Sequence, residues 1–239
     1  MRDIFSLDGP FNKYGGYLAD TIILSLLWIF FSIPIVTIGA STTAMFYVST
    51  RRIAEREGYI TSDFWVAFKA NFKKATILWM LILVFVLIMI FNIMNIEIAG
   101  AMATFMLSAQ YVFLLLIAFI SVYLFPMTAR FEMGIKQIIK SSFYMSIRHI
   151  FTTVTCVVML LGLVIIVTDF INILFFAAPG AYAMGSSYMI MRVFKKYRPE
   201  MDKDPRIEIQ EIEAQKAEER RSRGIHTMDD EYEDDIGNE

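Results

Sequence analysis

Residues 75–96 read ATILWMLILVFVLIMIFNIMNI, 22 positions without one charged side chain. A helix rises about 1.5 Å per residue, so a run of about 20 apolar residues matches the hydrocarbon thickness of a bilayer. Two more runs share this character: Thr104 to Phe125, 22 residues, and Ile150 to Thr168, 19 residues. Over 239 residues the chain is 56% hydrophobic with positive mean hydropathy, which excludes an ordinary soluble domain. The expected fold is all-α, a polytopic helical membrane protein.

Charge divides the chain further. Residues 1–194 hold 13 Lys/Arg and 9 Asp/Glu, a net +4, whereas 195–239 hold 9 and 15, a net −6. The expected organisation is therefore a helical membrane domain over 1–194 and a charged acidic tail over 195–239. The tail has too little apolar area for a core of its own. Within it, residues 206–223 have the composition of a solvated helix, and 229–235 form an acidic run.

Basic residues set the expected orientation, because Lys and Arg concentrate on the cytoplasmic side. Residues 51–74 carry six and 127–149 carry four, while 97–103 and 169–185 carry none. The two basic segments and the tail are thus expected inside. Tyr17 to Thr50 is too long for one straight span and contains Pro34, which disfavours an uninterrupted helix. Two helices, about 17–33 and 40–57, are expected there, giving about six membrane helices in three hairpins with both termini cytoplasmic. A cleaved signal peptide fits poorly, since Asp20 interrupts its apolar stretch and Ile38 would occupy a cleavage position that wants a small residue. Two interfacial cytoplasmic helices are expected, one around Phe64, Phe68 and Phe72 with Lys69 and Lys73, the other around Phe131, Ile135, Ile138 and Ile139 with Lys136 and Lys140.

One phrase recurs. Phe30-Phe31-Ser32-Ile33-Pro34 returns as Phe175-Phe176-Ala177-Ala178-Pro179, and these are the only Phe-Phe pairs in the chain. Small and hydroxyl residues follow each copy. Gly/Pro-interrupted apolar segments in corresponding positions point to a polar site within the bilayer. The candidate is a pocket in which Pro34, Thr37, Gly39, Ser41 and Thr42 meet Pro179, Gly185, Ser186 and Ser187. Close helix packing through small residues is the competing reading. The last hairpin can turn at Asp169–Asn172 or at Pro179–Gly185, and the recurrence favours the second, with Pro179 opening the final helix.

Other chemistry is sparse. Asp20 and Asp169 are the candidate intramembrane acids; Asp20 can cap its helix or pair with Lys13, and Asp169 is either within the fifth span or in an outer loop. Asn92 and Gln110 suit interhelical hydrogen bonds. The two histidines, His149 and His226, and the one cysteine, Cys156, give no metal-ligand spacing. No phosphate-binding glycine motif occurs, and no base stands near a serine in sequence. No catalytic, cofactor-binding or metal site, and no nucleic-acid partner, is expected.

The stretch Ser32-Ile33-Pro34-Ile35-Val36-Thr37-Ile38-Gly39-Ala40-Ser41-Thr42-Thr43-Ala44, with Gly15-Gly16 and Leu27-Trp28 before it, resembles the YesL family. That family comprises bacterial membrane proteins with a domain of unknown function. Asp63-Phe64, Phe68-Lys69-Ala70-Asn71-Phe72-Lys73 and Val193-Phe194-Lys195-Lys196-Tyr197 extend the resemblance over most of residues 5–200. It implies the bacterial cytoplasmic membrane and company with carbohydrate ABC transporters and their sensors, but no site residues. The expected function is accessory or regulatory and non-enzymatic, with the lipid bilayer and such a transporter or sensor as partners. The alternative is a small solute transporter or channel using the paired tips.

Overall fold

A computed structural model describes residues 10–55, 59–95, 101–169 and 175–197. Every extended element among them is a helix: α1 (Pro10–Ser32), α2 (Ile38–Glu55), α3 (Ile60–Met94), α4 (Ala101–Arg130), α5 (Ile135–Arg148), α6 (Ile150–Asp169) and α7 (Ala178–Tyr197). A single 3-10 turn, Ile35–Thr37, joins α1 to α2. The chain divides into two units, Met1–Asp202 and Lys203–Glu239. The expected tail helix and acidic run, residues 206–235, lie outside the described residues.

Three helices contain stretches long and apolar enough to cross a membrane: Ile60–Met94, Thr104–Arg130 and Ile150–Thr168. The apolar part of α1, Gly16–Ser32, is shorter. Pro34 ends α1 as anticipated, because it cannot donate a backbone hydrogen bond and biases Ile33 away from helix. The chain reverses there, and α2 runs back along α1.

The pair α1–α2 then lies along the first half of α3. At one end Arg51 meets Asp63, with 3.5 Å between Nη1 and Oδ1. At the other, a Cβ on Gly39 would stand 2.7 Å from the Ala75 carbonyl oxygen and 2.4 Å from Trp79 Cβ. Trp79 Nε1 also donates to the Ile35 carbonyl, 2.8 Å away. The hairpin tip thus sits beside Trp79. Helix α3 continues for 15 residues (80–94) past this level, about 22 Å of helix.

Two expectations change here. Phe64, Phe68 and Phe72 do not form a separate interfacial helix, because α3 runs unbroken through them into the long apolar stretch. Phe64 and Phe68 are buried, and their rings pack on Phe31 with centroids 5.5 and 5.0 Å away. Trp65 and Phe72 are exposed, with the Lys69 ammonium 5.0 Å from the Trp65 ring centroid. The second expected segment does contain a separate helix, α5, although Phe131 precedes it. Its Ile138 is sunk in the core, while Lys136 and Lys140 are exposed.

The last turn also moves. Pro179 and Gly185 both belong to α7, so the connection occupies 170–177, of which 170–174 lie outside the described residues. Pro179 is tolerated because the first helical N–H groups have no partner one turn back. Asp169 is the final residue of α6.

Candidate functional site

The tip of the first hairpin is knitted to itself. Ser32 and Ser41 hydroxyls are 2.6 Å apart across the turn, and Trp28 Nε1 donates to Thr42 Oγ1 at 3.0 Å. The Thr37 hydroxyl lies 2.6 Å from the Phe31 carbonyl oxygen and 2.7 Å from that of Pro34. Gly39 spends its missing side chain on the approach of α3. Pro34 is exposed at the apex. Each polar group of this tip therefore has a local partner, as polar atoms withdrawn from water require.

The second copy is placed differently. Pro179 is half-buried at the second position of α7, and Gly185 lies midway along that helix beside Met159. Ser186 Oγ donates to the Tyr182 carbonyl at 2.6 Å. Ser187 Oγ is buried and has no hydrogen-bond partner. Among the described residues no side-chain hydrogen bond joins these residues to Thr37, Ser41 or Thr42. Among the described residues the two tips are thus each bonded locally, with no side-chain hydrogen bond between them.

What does join the first hairpin to α7 is Ser25. Its Oγ accepts a hydrogen bond from the Gly180 N–H at 2.8 Å. The same hydroxyl lies 2.8 Å from the Thr21 carbonyl oxygen and 3.1 Å from that of Ala177. A Cβ on Gly180 would come within 2.3 Å of the Thr21 oxygen, so only glycine admits this approach. Ser25 therefore caps a helix that begins more than 150 residues later. Nothing in the local sequence marks that role; the Pro179-Gly180 pair at a helix start is the only hint.

Acids and bases gather at the other end of the hairpin. Asp20 pairs with Arg52 at 2.5 Å, because α2 returns its basic end to the start of α1; the Lys13 side chain lies outside the described residues. Arg51 reaches Asp63 on α3 instead, and the Asp63 side chain is only 4% exposed. Adjacent arginines on one helix point to different neighbours, so the two ion pairs tie α1, α2 and α3 together. This is a structural use of charge. Among the described residues, no group of three or more His, Cys, Asp or Glu could hold a metal ion.

Asn92 and Gln110 do not bridge helices as anticipated. Gln110 Oε1 is buried without a hydrogen-bond partner, and Asn92 is exposed. Met89 and Phe113 line one apolar cavity of about 280 Å³ between α3 and α4, so Asn92 and Gln110 stand about one turn beyond it on facing helices.

Residues 21–93 match the model of a family described as "Protein of unknown function, DUF624". The matched stretch covers most of α1, all of α2 and almost all of α3, the three helices held by the two ion pairs. No curated protein and no solved structure matches the chain.

Proposed function

We propose that this chain is a non-enzymatic accessory or regulatory protein of the bacterial cytoplasmic membrane. It crosses in three hairpins with both termini inside and associates with another membrane protein, a carbohydrate ABC uptake system or its sensor. The reading rests on the distal half of α3 and its neighbour α4. Across the most apolar window of α3 only 6% of residues are buried by this chain. Asn92 is exposed on that stretch, and on the neighbouring α4 the Gln110 Oε1 lies buried within the chain without a hydrogen-bond partner. A polar group within an apolar span is stabilised by a hydrogen-bonding neighbour, and a second protein's helix can supply it. The carbohydrate neighbourhood rests on the YesL resemblance, with which the family match over 21–93 is consistent.

Mild solubilisation and affinity capture of the full chain test this. A transporter or sensor subunit is expected to co-purify, and Asn92→Leu with Gln110→Leu to reduce its recovery about tenfold, the equivalent of about 1.4 kcal/mol. Repeated recovery of this protein alone would sink the proposal. The second reading, a small solute carrier, is favoured by one observation, the unpartnered buried hydroxyl of Ser187. It requires solute flux in liposomes that contain only this protein, and sealed vesicles would reject it.

A further inference from the structure

Beyond Arg130 the chain turns through residues 131–134 and brings α5 against the end of α7. A cavity of about 460 Å³ remains between α4, α5 and α7. Its floor includes the buried side chains of Met127, Phe131 and Met133. Its rim carries Lys140, Tyr144 and Tyr197, of which the first two are exposed. One site therefore offers an adaptable thioether floor and a cationic, hydroxyl-bearing edge. Unbranched methionines conform to flexible apolar groups better than branched side chains do.

The edge is continued by spacing. Lys140, Tyr144 and Arg148 recur every four residues and form one row on α5. The Arg148 guanidinium hydrogen-bonds the Tyr144 hydroxyl and lies 5.6 Å from that ring's centroid and 5.4 Å from that of Tyr197. The Tyr197 hydroxyl is 2.9 Å from His149 Nε2. Lys136 stands one turn before Lys140, and Lys196 adjoins Tyr197. Glu132, the acid between two floor residues, is engaged in an interaction of its own. One position around the helix stand Phe143 and Ile147, both exposed, and Phe151, 88% exposed, follows at the start of α6. An apolar stripe beside a basic and aromatic stripe is how a helix seats at a bilayer interface.

We infer that this cavity binds one anionic phospholipid, its glycerol and first acyl carbons on the Met127–Phe131–Met133 floor and its phosphate at Lys140 and Arg148. The volume lies within the range of small-molecule pockets. Charge complementarity selects the occupant, because Lys140 on the rim and Arg148 one turn past Tyr144 are cationic and the floor is too apolar for a free phosphate ester.

Native mass spectrometry of the full chain, equilibrated with equal phosphatidylglycerol and phosphatidylcholine, tests this directly. One phosphatidylglycerol is expected to be retained about tenfold over phosphatidylcholine. Lys140→Gln with Arg148→Gln should cut that preference at least fivefold, and both side chains are exposed enough for the helix to survive. Met133→Trp, which fills the floor and leaves the charges, should also release the lipid, with circular dichroism verifying the fold. Lys69→Gln, on the exposed face of α3, should change nothing. Equal retention of both lipids, an unaffected double variant, a Met133→Trp protein that keeps its lipid, or an equal loss in Lys69→Gln would each overturn the site. Displacement by millimolar glycerol phosphate would assign it to a soluble phosphate ester instead and overturn the lipid.

Discussion

Helix α2 and the distal part of α3 have similar lengths and opposite fates. From Gly39 to Thr50 every residue of α2 but Thr42 is buried, whereas from Ile77 to Met94 only Leu78 is. The distal part of α3 is by far the more apolar of the two. Hydrophobicity therefore does not decide what is buried in this protein. Lipid is as apolar as leucine, so helices associate where small side chains let backbones approach and hydroxyls bond. Helix α2 opens with Gly39, Ala40, Ser41, Thr42, Thr43 and Ala44, and residues 77–94 contain no glycine, alanine, serine or threonine.

The contrast can be tested by perturbing each side, with stability read from denaturing-detergent titration in bicelles. Asp63→Ala strikes hardest, because it removes a nearly buried carboxylate that pairs with Arg51 and ties α2 to α3. About 3 kcal/mol should be lost, and Asp63→Ala combined with Arg51→Met should recover part of it. Gly39→Ala comes next, at about 1–3 kcal/mol, because the new methyl would meet Ala75 backbone and the Cβ of Trp79, neither of which can swing away. Ser25→Ala should cost about 1 kcal/mol, a typical helix-cap loss. On the bare side, Leu87→Ala should stay within about 0.5 kcal/mol. A large loss there would mean that distal α3 is packed against something in the preparation.

The smallest effect concerns His149 at the α5–α6 junction. Partial burial, then Lys196 and Arg148, hold its imidazole below the usual value of 6.5. The folded protein therefore binds this proton less readily than the unfolded chain. The associated stability is complete above about pH 6.5 and declines as pH falls through the lowered value. Imidazole NMR in nanodiscs should give a midpoint below 6.5, and Lys196→Gln should raise it.

The long spans were legible because charge-free runs of bilayer length have few other uses. Both hairpin helices were legible from Pro34, with α2 found at Ile38–Glu55 against an expected 40–57. Amphipathic spacing disclosed α5. The unity of α3 was missed although its signal was present: no glycine or proline occurs between Ile60 and Met94. The aromatic repeat was read as an anchor to lipid when Phe64 and Phe68 in fact serve the core. Partners over long separations were not legible at all. Asp20 lies nearer Lys13 in sequence, and only the return of α2 reveals Arg52.

The Ser25–Gly180 joint has a consequence for biosynthesis. A chain is made from its N-terminus, and Ser25 precedes Gly180 by 155 residues. Until α7 arrives, the Ser25 side of α1 lacks its lasting neighbour and must be occupied by lipid or by an assembly factor. The first hairpin can close early through Ser32–Ser41 and Asp20–Arg52, but its docking on α7 waits until α7 has been made. A chain arrested before residue 178 would carry a formed first hairpin with an open seam, which is a feature quality-control proteases could read.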